Sequence, residues 1–596
     1  MQQPSSHRPT SRFTFYVSRF TSHVSRPLFL VAVALVIVAI GVGQQVTERL
    51  IAPASPLNFD EAAHSLPGYY ILRDVRRLDL QAFWGDTHIQ TLWPPGFSYL
   101  QAPVLAVLGL SDGAARLFSY MTLVLTVLLG LALVRSIKPA WAPVAGLASG
   151  LIALSAPGWL SLGGLALQET PVAMVTFATF WLFLRAWRTG RARWYFLTGC
   201  ALFFLFLTKY NYAAFALASI GLVDMVERIR MAARRGESPA RPGFVRRFFT
   251  RRQLATWLAL YLPLALGLAF WFLGGTDVVP MKVKWRDFAF FVSNEDSGYP
   301  MWSEQNLLFY VRTTINWLMP HPLLALAALL GAGYAVVRIR HPGVTLLALF
   351  FTIGFTLATL HQLKAERYAA PFFPSLWLLT GLGLAELKAR WEAARTRRAP
   401  IPPVAGAVIG QPRGFAHAFY PSLPTLVVVV VLFSGALWSW LTWLPRLEPV
   451  WAGDTADALR AAGQQVSDWQ DPNRPVLIIG TFGELSPPFF EWRLRTQAAF
   501  GNGNIQYDAP PGDGADLERV QHWLQANPGT QVTLIRVDES AAVYNTADMK
   551  NKNANRQALV RQFDQAIHAG AVKGYHLENT VDFPRGGITI SYYLPQ

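Results

Sequence analysis

The chain has 596 residues, 52% of them hydrophobic and only 15% charged, with 21 Trp and 39 Phe; this balance excludes an ordinary soluble globule and fits a polytopic membrane protein. Its net charge of +16 lies in short runs between apolar segments, which excludes a continuous nucleic-acid face and fits positive-inside topology. A single cysteine, Cys200, leaves neither a disulfide framework nor a thiolate metal site within the chain.

Residues 1–26 carry Arg8, Arg12, Arg19 and Arg26 and no acid, and Pro27 to Gly43 is continuously apolar. That run is longer than a signal-peptide core and no small-residue cleavage pattern follows it. It is predicted as an anchor, with residues 1–26 a cytoplasmic tail. The next stretch, about 44–113, is then the first outer loop. It holds Asn58-Phe59-Asp60-Glu61, Trp84, Trp93-Pro94-Pro95-Gly96 and an apolar run from Phe97 to Leu110, too short to span and predicted as an interfacial helix.

Ten further spans are predicted: Ala114 to Val134, Trp141 to Ala156, Val172 to Leu184, Trp194 to Thr208, Tyr212 to Val226, Leu254 to Leu273, Leu323 to Val337, Val344 to Leu360, Phe372 to Leu384 and Leu423 to Leu444. The expected fold is therefore a polytopic α-helical membrane domain over 27–444, with about 11 transmembrane helices. Arginine-rich runs mark the cytoplasmic ends, and the stretches at 234–252 and 395–414 are predicted cytoplasmic linkers. Outer turns then carry Gln168-Glu169, Lys209-Tyr210-Asn211 and the charged segment His361 to Tyr368.

Residues 445–596 hold 17 Asp and Glu against 13 Lys and Arg, a net −4 that fits an extracytoplasmic location. Helical periodicity over Asp454 to Trp469, Asp516 to Leu524 and Asn555 to Ala569, with strand patterns at Pro475 to Gly480, Gln531 to Val537 and Ile588 to Leu594, predicts a soluble α/β domain. Its Gly480 to Gly483 turn follows a strand, but Pro487-Pro488 is expected to block an immediate helix, and no dinucleotide fingerprint is present.

Adjacent carboxylates at a membrane surface are costly unless used. Asp60 and Glu61 point different ways on any regular element, so one acts while the other orients. Asp60 is a candidate general base for an acceptor hydroxyl, the alternative being a solvated loop acid or helix N-cap. His64 could share a divalent ion with both acids on one helical turn, the single arrangement that would imply a metal; otherwise no cofactor is required. Lys209, Lys364 and Arg367 suit phosphate capture at outer helix ends, against the alternative of snorkelling beside Tyr210, Tyr212 and Tyr368. Arg116 pairs with Asp112 or with the loop acids. Glu169 is either a site residue or a helix N-terminal acid ahead of Pro171.

Asp60-Glu61 in the first outer loop, Trp93-Pro94-Pro95-Gly96, Ser111 to Arg116 (SDGAAR), the Glu169 turn, Thr208-Lys209-Tyr210, and Arg367-Tyr368 followed by Pro371 and Pro374 resemble the GT-C glycosyltransferase superfamily. Residues of about 27–390 are most similar to its protein O-mannosyltransferase and aminoarabinose-transferase branch. The resemblance implies a hexosyl-type sugar donor on polyprenyl or dolichyl phosphate, an extracytoplasmic active site in a cell membrane, and inversion at the anomeric carbon. It implies Asp60 as base with Glu61 its companion, Arg116 bracing the first loop, and Lys209, Arg367, Tyr368 and Lys364 at the lipid phosphate, supported by Glu169 and His64. The acceptor, whether lipid, glycan or protein, is not inherited, because the α/β tail is not a shared feature of the branch. A lipid-linked-sugar flippase would instead place charges inside spans, and a membrane-anchored sensor would leave the Asp60 loop without a purpose.

Overall fold

In lipid a continuous apolar segment can satisfy its backbone groups within itself only as a helix. The computed structural model describes residues 26–52, 55–234, 251–290, 300–313, 317–319, 322–361, 364–398, 423–447, 453–471, 474–479, 487–496, 505–507, 517–537, 547–570, 572, 574–584 and 587–595. The N-terminal tail, most of the two predicted cytoplasmic linkers and the Gly480 to Gly483 turn lie outside them.

In chain order the helices of the membrane portion are α1 (Arg26–Val46), α2 (Phe59–Arg77), α3 (Leu80–His88), α4 (Gly96–Leu108), α5 (Asp112–Ile137), α6 (Ala142–Ala153), α7 (Pro157–Gly163), α8 (Glu169–Thr189) and α9 (Ala192–Thr208). They continue as α10 (Tyr210–Arg234), α11 (Arg251–Leu273), α12 (Met281–Phe290), α13 (Glu304–Thr313), α14 (Pro322–Arg338), α15 (Pro342–Leu360), α16 (Phe373–Arg398) and α17 (Leu423–Thr442). A helix stands at each of the eleven predicted spans. Among the described residues six helices, α1, α5, α8, α11, α15 and α16, are long and apolar enough to cross a membrane. The predicted span Trp141 to Ala156 is different: α6 ends at Ala153 and Pro157 starts α7 at 75° to it, a broken seventh span.

Close approach of the spans depends on absent side chains. A Cβ on Gly381 would lie 2.3 Å from the Ala145 carbonyl oxygen and one on Gly383 would lie 2.1 Å from that of Gly331, so α16 meets α6 and α14 backbone to backbone. The first outer loop is largely helical. α4 is the predicted interfacial helix, whereas α3, opened by Asp79 as N-cap, was not visible as a pattern.

The tail begins with α18 (Gly453–Trp469) and continues through β1 (Val476–Ile479), α19 (Pro487–Thr496), β2 (Ile505–Tyr507), α20 (Leu517–Ala526), β3 (Gln531–Val537), α21 (Ala547–His568), β4 (Tyr575–Phe583) and β5 (Ile588–Pro595). The sheet order is β2-β1-β3-β5-β4, with β2, β1 and β3 parallel and β5 and β4 antiparallel. α18 and α19 cover one face while α20 and α21 cover the other. Pro487-Pro488 is expected to block a helix immediately after the Gly480 to Gly483 turn, which lies outside the described residues; the two prolines themselves begin α19, where the first turn has no intrahelical use for their missing N–H groups. β2 and β4 were also missed: the first has three residues, and the second is an exposed edge with little apolar alternation.

Candidate active site

The site is built on the N-terminus of α2. Asn58 is the N-cap: its side chain accepts the Glu61 N–H at 2.9 Å, and its own N–H donates to Glu61 Oε2 at 3.0 Å, a capping box that fixes where the helix starts. Asp60 is therefore in the first turn and not the cap, correcting that alternative. The two acids diverge as their adjacency requires. Glu61 is fully buried and takes a forked contact from Arg116, Nε to Oε1 at 2.8 Å and Nη2 to Oε2 at 2.9 Å, plus the Ala166 N–H at 2.9 Å. Arg116 spends its other donors on the carbonyls of Leu50, Ser55 and Pro56, so it ties the loop before α2 to α5. It does not pair with Asp112.

Asp60 faces the other way, to Arg367, whose Nη1 lies 2.7 Å from Oδ2. Lys209 Nζ donates to Glu169 Oε1 at 3.1 Å, and Arg367 Nε lies 3.9 Å from that same oxygen. Two acids and two cations from four separated segments thus form one cluster. Lys209 and Arg367 both lie against the Tyr368 ring, at 5.5 and 5.6 Å from its centroid, and Tyr212 donates its hydroxyl to the Tyr368 carbonyl at 2.6 Å. His64, one turn along α2, is buried against Trp93, with ring centroids 4.7 Å apart. Gly96 allows this: a Cβ there would lie 2.6 Å from the Thr208 N, so the Trp-Pro-Pro-Gly turn can reach the end of α9 and hence Lys209.

Among the described residues, three buried polar atoms of the cluster, His64 Nδ1, Glu169 Oε2 and Arg367 Nε, have no hydrogen-bond partner. Such atoms are expensive unless a ligand or water completes them. Burial pushes the Asp60 carboxyl up, but Arg367, His64 and Lys209 outweigh it, so Asp60 stays below the ordinary carboxylate range. Burial takes His64 down to about 4, only partly offset by Asp60 and Glu169. His64 is a neutral ring at physiological pH.

Lys364 is not brought to the acids. Its amine donates to the Ala358 and Thr359 carbonyls at 2.8 and 2.7 Å, at the C-terminal end of α15, where a cation is favoured. Burial lowers its amine to about 8. Among the described residues no group of three or more His, Cys, Asp and Glu side chains is arranged to hold a metal ion, and Asp60 and Glu61 each face an arginine instead of sharing a centre with His64.

Between the predicted spans Leu254 to Leu273 and Leu323 to Val337, where the sequence predicts no site residue, lies a second buried network. Lys284 on α12 is fully buried, its amine 3.0 Å from His88 Nδ1 and 2.9 Å from the Trp271 carbonyl. Asp287 accepts the Thr91 hydroxyl, and Tyr210 donates to the Thr91 carbonyl at 2.8 Å, so this loop is tied to the residue next to Lys209. Composition gave no signal for it, because a lysine in MKVKWRDF looks solvated.

A family model for dolichyl-phosphate-mannose-protein mannosyltransferase matches residues 93–231, a segment that includes Arg116, Glu169 and Lys209. A search of curated proteins returns no significant match. Among solved structures, ArnT from Cupriavidus metallidurans bound to undecaprenyl phosphate is similar with a TM-score of 0.56 and 15% identity, over 94% of this chain and 97% of that one. Its apo form gives 0.53 and 14%, over 98% of each. The archaeal oligosaccharyltransferase AglB from Archaeoglobus fulgidus, in complex with an inhibitory peptide and a dolichol-phosphate, gives 0.50 and 11%, over 89% and 72%. In fold, this multi-pass membrane protein with its small C-terminal sheet domain is similar to ArnT and AglB, and its residues 93–231 match the protein mannosyltransferase model.

Proposed function

We propose that the protein is a membrane glycosyltransferase that moves a sugar from a polyprenyl-phosphate carrier to an acceptor hydroxyl on the extracytoplasmic side of the cell membrane. The observation that carries this reading is the cluster of Asp60, Glu169, Lys209 and Arg367, with buried polar atoms lacking partners. Asp60 accepts the proton of the attacking hydroxyl as the new glycosidic bond forms. The anomeric carbon–phosphate oxygen bond breaks on the opposite face, which inverts the centre. The electron pair leaves on the polyprenyl phosphate, where Lys209 and Arg367 stabilise the developing charge in a site partly screened from water. Glu61 touches neither reactant and acts by fixing α2 through Arg116.

In the structure the cations are balanced by carboxylates, so the arriving phosphate takes Arg367 over from Asp60. The base is then free while the leaving group is held. Lipid tethering confines the donor beside the base, which makes positioning a large part of the rate. ArnT with undecaprenyl phosphate and AglB with dolichol-phosphate support a lipid-phosphate donor. The contact of the acidic tail with the Asp60 loop supports placing both on one, outer side, with the N-terminus cytoplasmic.

The test is mass spectrometry of lipids and glycoconjugates from cells with the wild-type chain, without it, and with Asp60→Asn. A sugar-bearing product that depends on the chain and on Asp60 is expected. A product that persists with Asp60→Asn refutes the assignment of the base.

A further inference from the structure

The tail has no chemistry of its own in the reading above, yet its α19 is inserted into the foundation of the active site. Trp492 is fully buried, not in the tail's own core but in the apolar cluster of Leu57, Ala62, Leu66, Ala114 and Ala166. Two of these flank the acids directly: Ala62 follows Glu61 in α2, and Ala166 supplies the N–H that Glu61 accepts. The polar edge of the same contact is also specific. Trp492 Nε1 donates to Asp112 Oδ1 at 2.7 Å and Arg493 pairs with Asp112 Oδ2 at 2.8 Å. Asp112 opens α5, one helical turn before Arg116. One residue before Trp492, buried Glu491 accepts from Tyr70 of α2 and pairs with Arg495 at 3.3 Å.

We propose that the C-terminal domain is a working part of the active site, with Trp492 a positioning residue that sets α2, and so Asp60, against the helices bearing Lys209 and Arg367. The proposal rests on Asp60 being the base. Its physical content is a division of labour. Lys209 stands at the junction of α9 and α10 and Arg367 in the turn before α16, whereas Asp60 and Glu61 stand on α2, which α19 holds through Trp492 and Glu491. A close-packed indole cannot be removed without the neighbours shifting or a void remaining. Here the void opens beneath the turn that holds Asp60 and Glu61. The parallel β1-α19-β2 unit places α19, and Pro487-Pro488 fixes its first turn, so the tryptophan is presented by a rigid element.

The experiment compares full-length wild-type protein, Trp492→Ala, Trp492→Phe and Asp112→Asn in lipid nanodiscs, by amide hydrogen exchange and by binding of undecaprenyl phosphate as the probe. With Trp492→Ala, exchange over 59–72 is expected to rise at least tenfold while that over 373–394 is unchanged. Affinity for the probe stays within threefold, because both cations remain in place, and the cellular product falls at least tenfold. Trp492→Phe restores most of the protection and product, and Asp112→Asn is intermediate. A uniform rise in exchange across the chain, an equal loss of probe binding, or product at the wild-type level with loosened 59–72 would each overturn the proposal. If Trp492→Ala does not fold, Trp492→Phe and Asp112→Asn decide it by the same split between exchange, binding and product. Absence of product from the wild type would count against the functional reading instead, and the exchange result would stand apart from it.

Discussion

Glu61→Gln is the sharpest perturbation of the site's foundation. The carboxylate now accepts four hydrogen bonds, two from Arg116 and one each from the Asn58 and Ala166 N–H groups, with no exposure on either charged partner. Glutamine keeps the shape but loses the charge, and its amide turns a donor toward donors. At least one of the four bonds is lost and the buried Arg116 guanidinium loses its counter-charge, while its bonds to the Leu50, Ser55 and Pro56 carbonyls remain. Breaking one side of a buried pair in this way costs about 3–5 kcal/mol. Removing both partners as Glu61→Gln with Arg116→Met costs much less than the sum, because the stranded charge goes too. The assay is thermal unfolding in nanodiscs, with all four corners of the cycle scanned at one rate since a chain of this size need not unfold in two states. A single-mutant loss below about 1 kcal/mol, or strictly additive losses, would refute the reasoning that this pair holds the loop.

Asp60→Asn is expected to cut transfer by about 10²–10⁴-fold, the range for losing a general base, while undecaprenyl phosphate binding measured by titration is retained. Arg367→Ala should weaken that binding by roughly 10- to 100-fold, as loss of a charge-assisted contact predicts, and Lys209→Met should do so by a comparable factor. Asp60 lies below 3.8 because Arg367 and its neighbours outweigh burial. Wild-type transfer should therefore show no acid limb from this group above about pH 4, and Arg367→Gln should move one upward into the measurable range. His64 falls from 6.5 to about 4 on burial. Below pH 6.5 the unfolded chain takes up a proton that the folded one refuses, so stability drops as pH falls from about 6.5 to about 4, by up to roughly 3 kcal/mol. His64→Gln should flatten that part of a thermal-stability profile.

Much of the fold is written in a one-dimensional property. Apolar length and arginine at the ends located a helix at each of the eleven predicted spans, because a continuous apolar segment in lipid can pair its backbone groups within itself only as a helix. The ends were less legible. α10 runs on to Arg234 and α16 to Arg398, since charged side chains suit a helix that leaves the bilayer as well as they suit a loop. The site residues were legible as types at helix ends, with Asp60, Glu169, Lys209 and Arg367 on the same predicted side, but their partners were not. Whether Arg116 serves Asp112 or Glu61 depends on a fork geometry that no spacing encodes, and Lys364, three residues from Arg367, is turned to its own helix end. Trp492 was invisible for a different reason. Between two prolines and two arginines it looks like an ordinary domain residue, and its significance arises only from what the domain rests on.

Charge counting links the two halves of the site. Asp60 and Glu169 balance Lys209 and Arg367, and Glu61 balances Arg116, so the buried cluster is neutral before any ligand arrives. Neutrality is what makes six ionised groups tolerable in such a place. It also means that, in the proposed reaction, a phosphate would not add to vacant cations but would have to take them from carboxylates. Glu61 cannot be the one that yields, since four hydrogen bonds hold it, whereas Asp60, joined to Arg367 by one contact and about a quarter exposed, can. The adjacent acids therefore differ in how firmly each is tied, and in the proposed reaction the loosely tied one is the carboxylate that an arriving phosphate would set free.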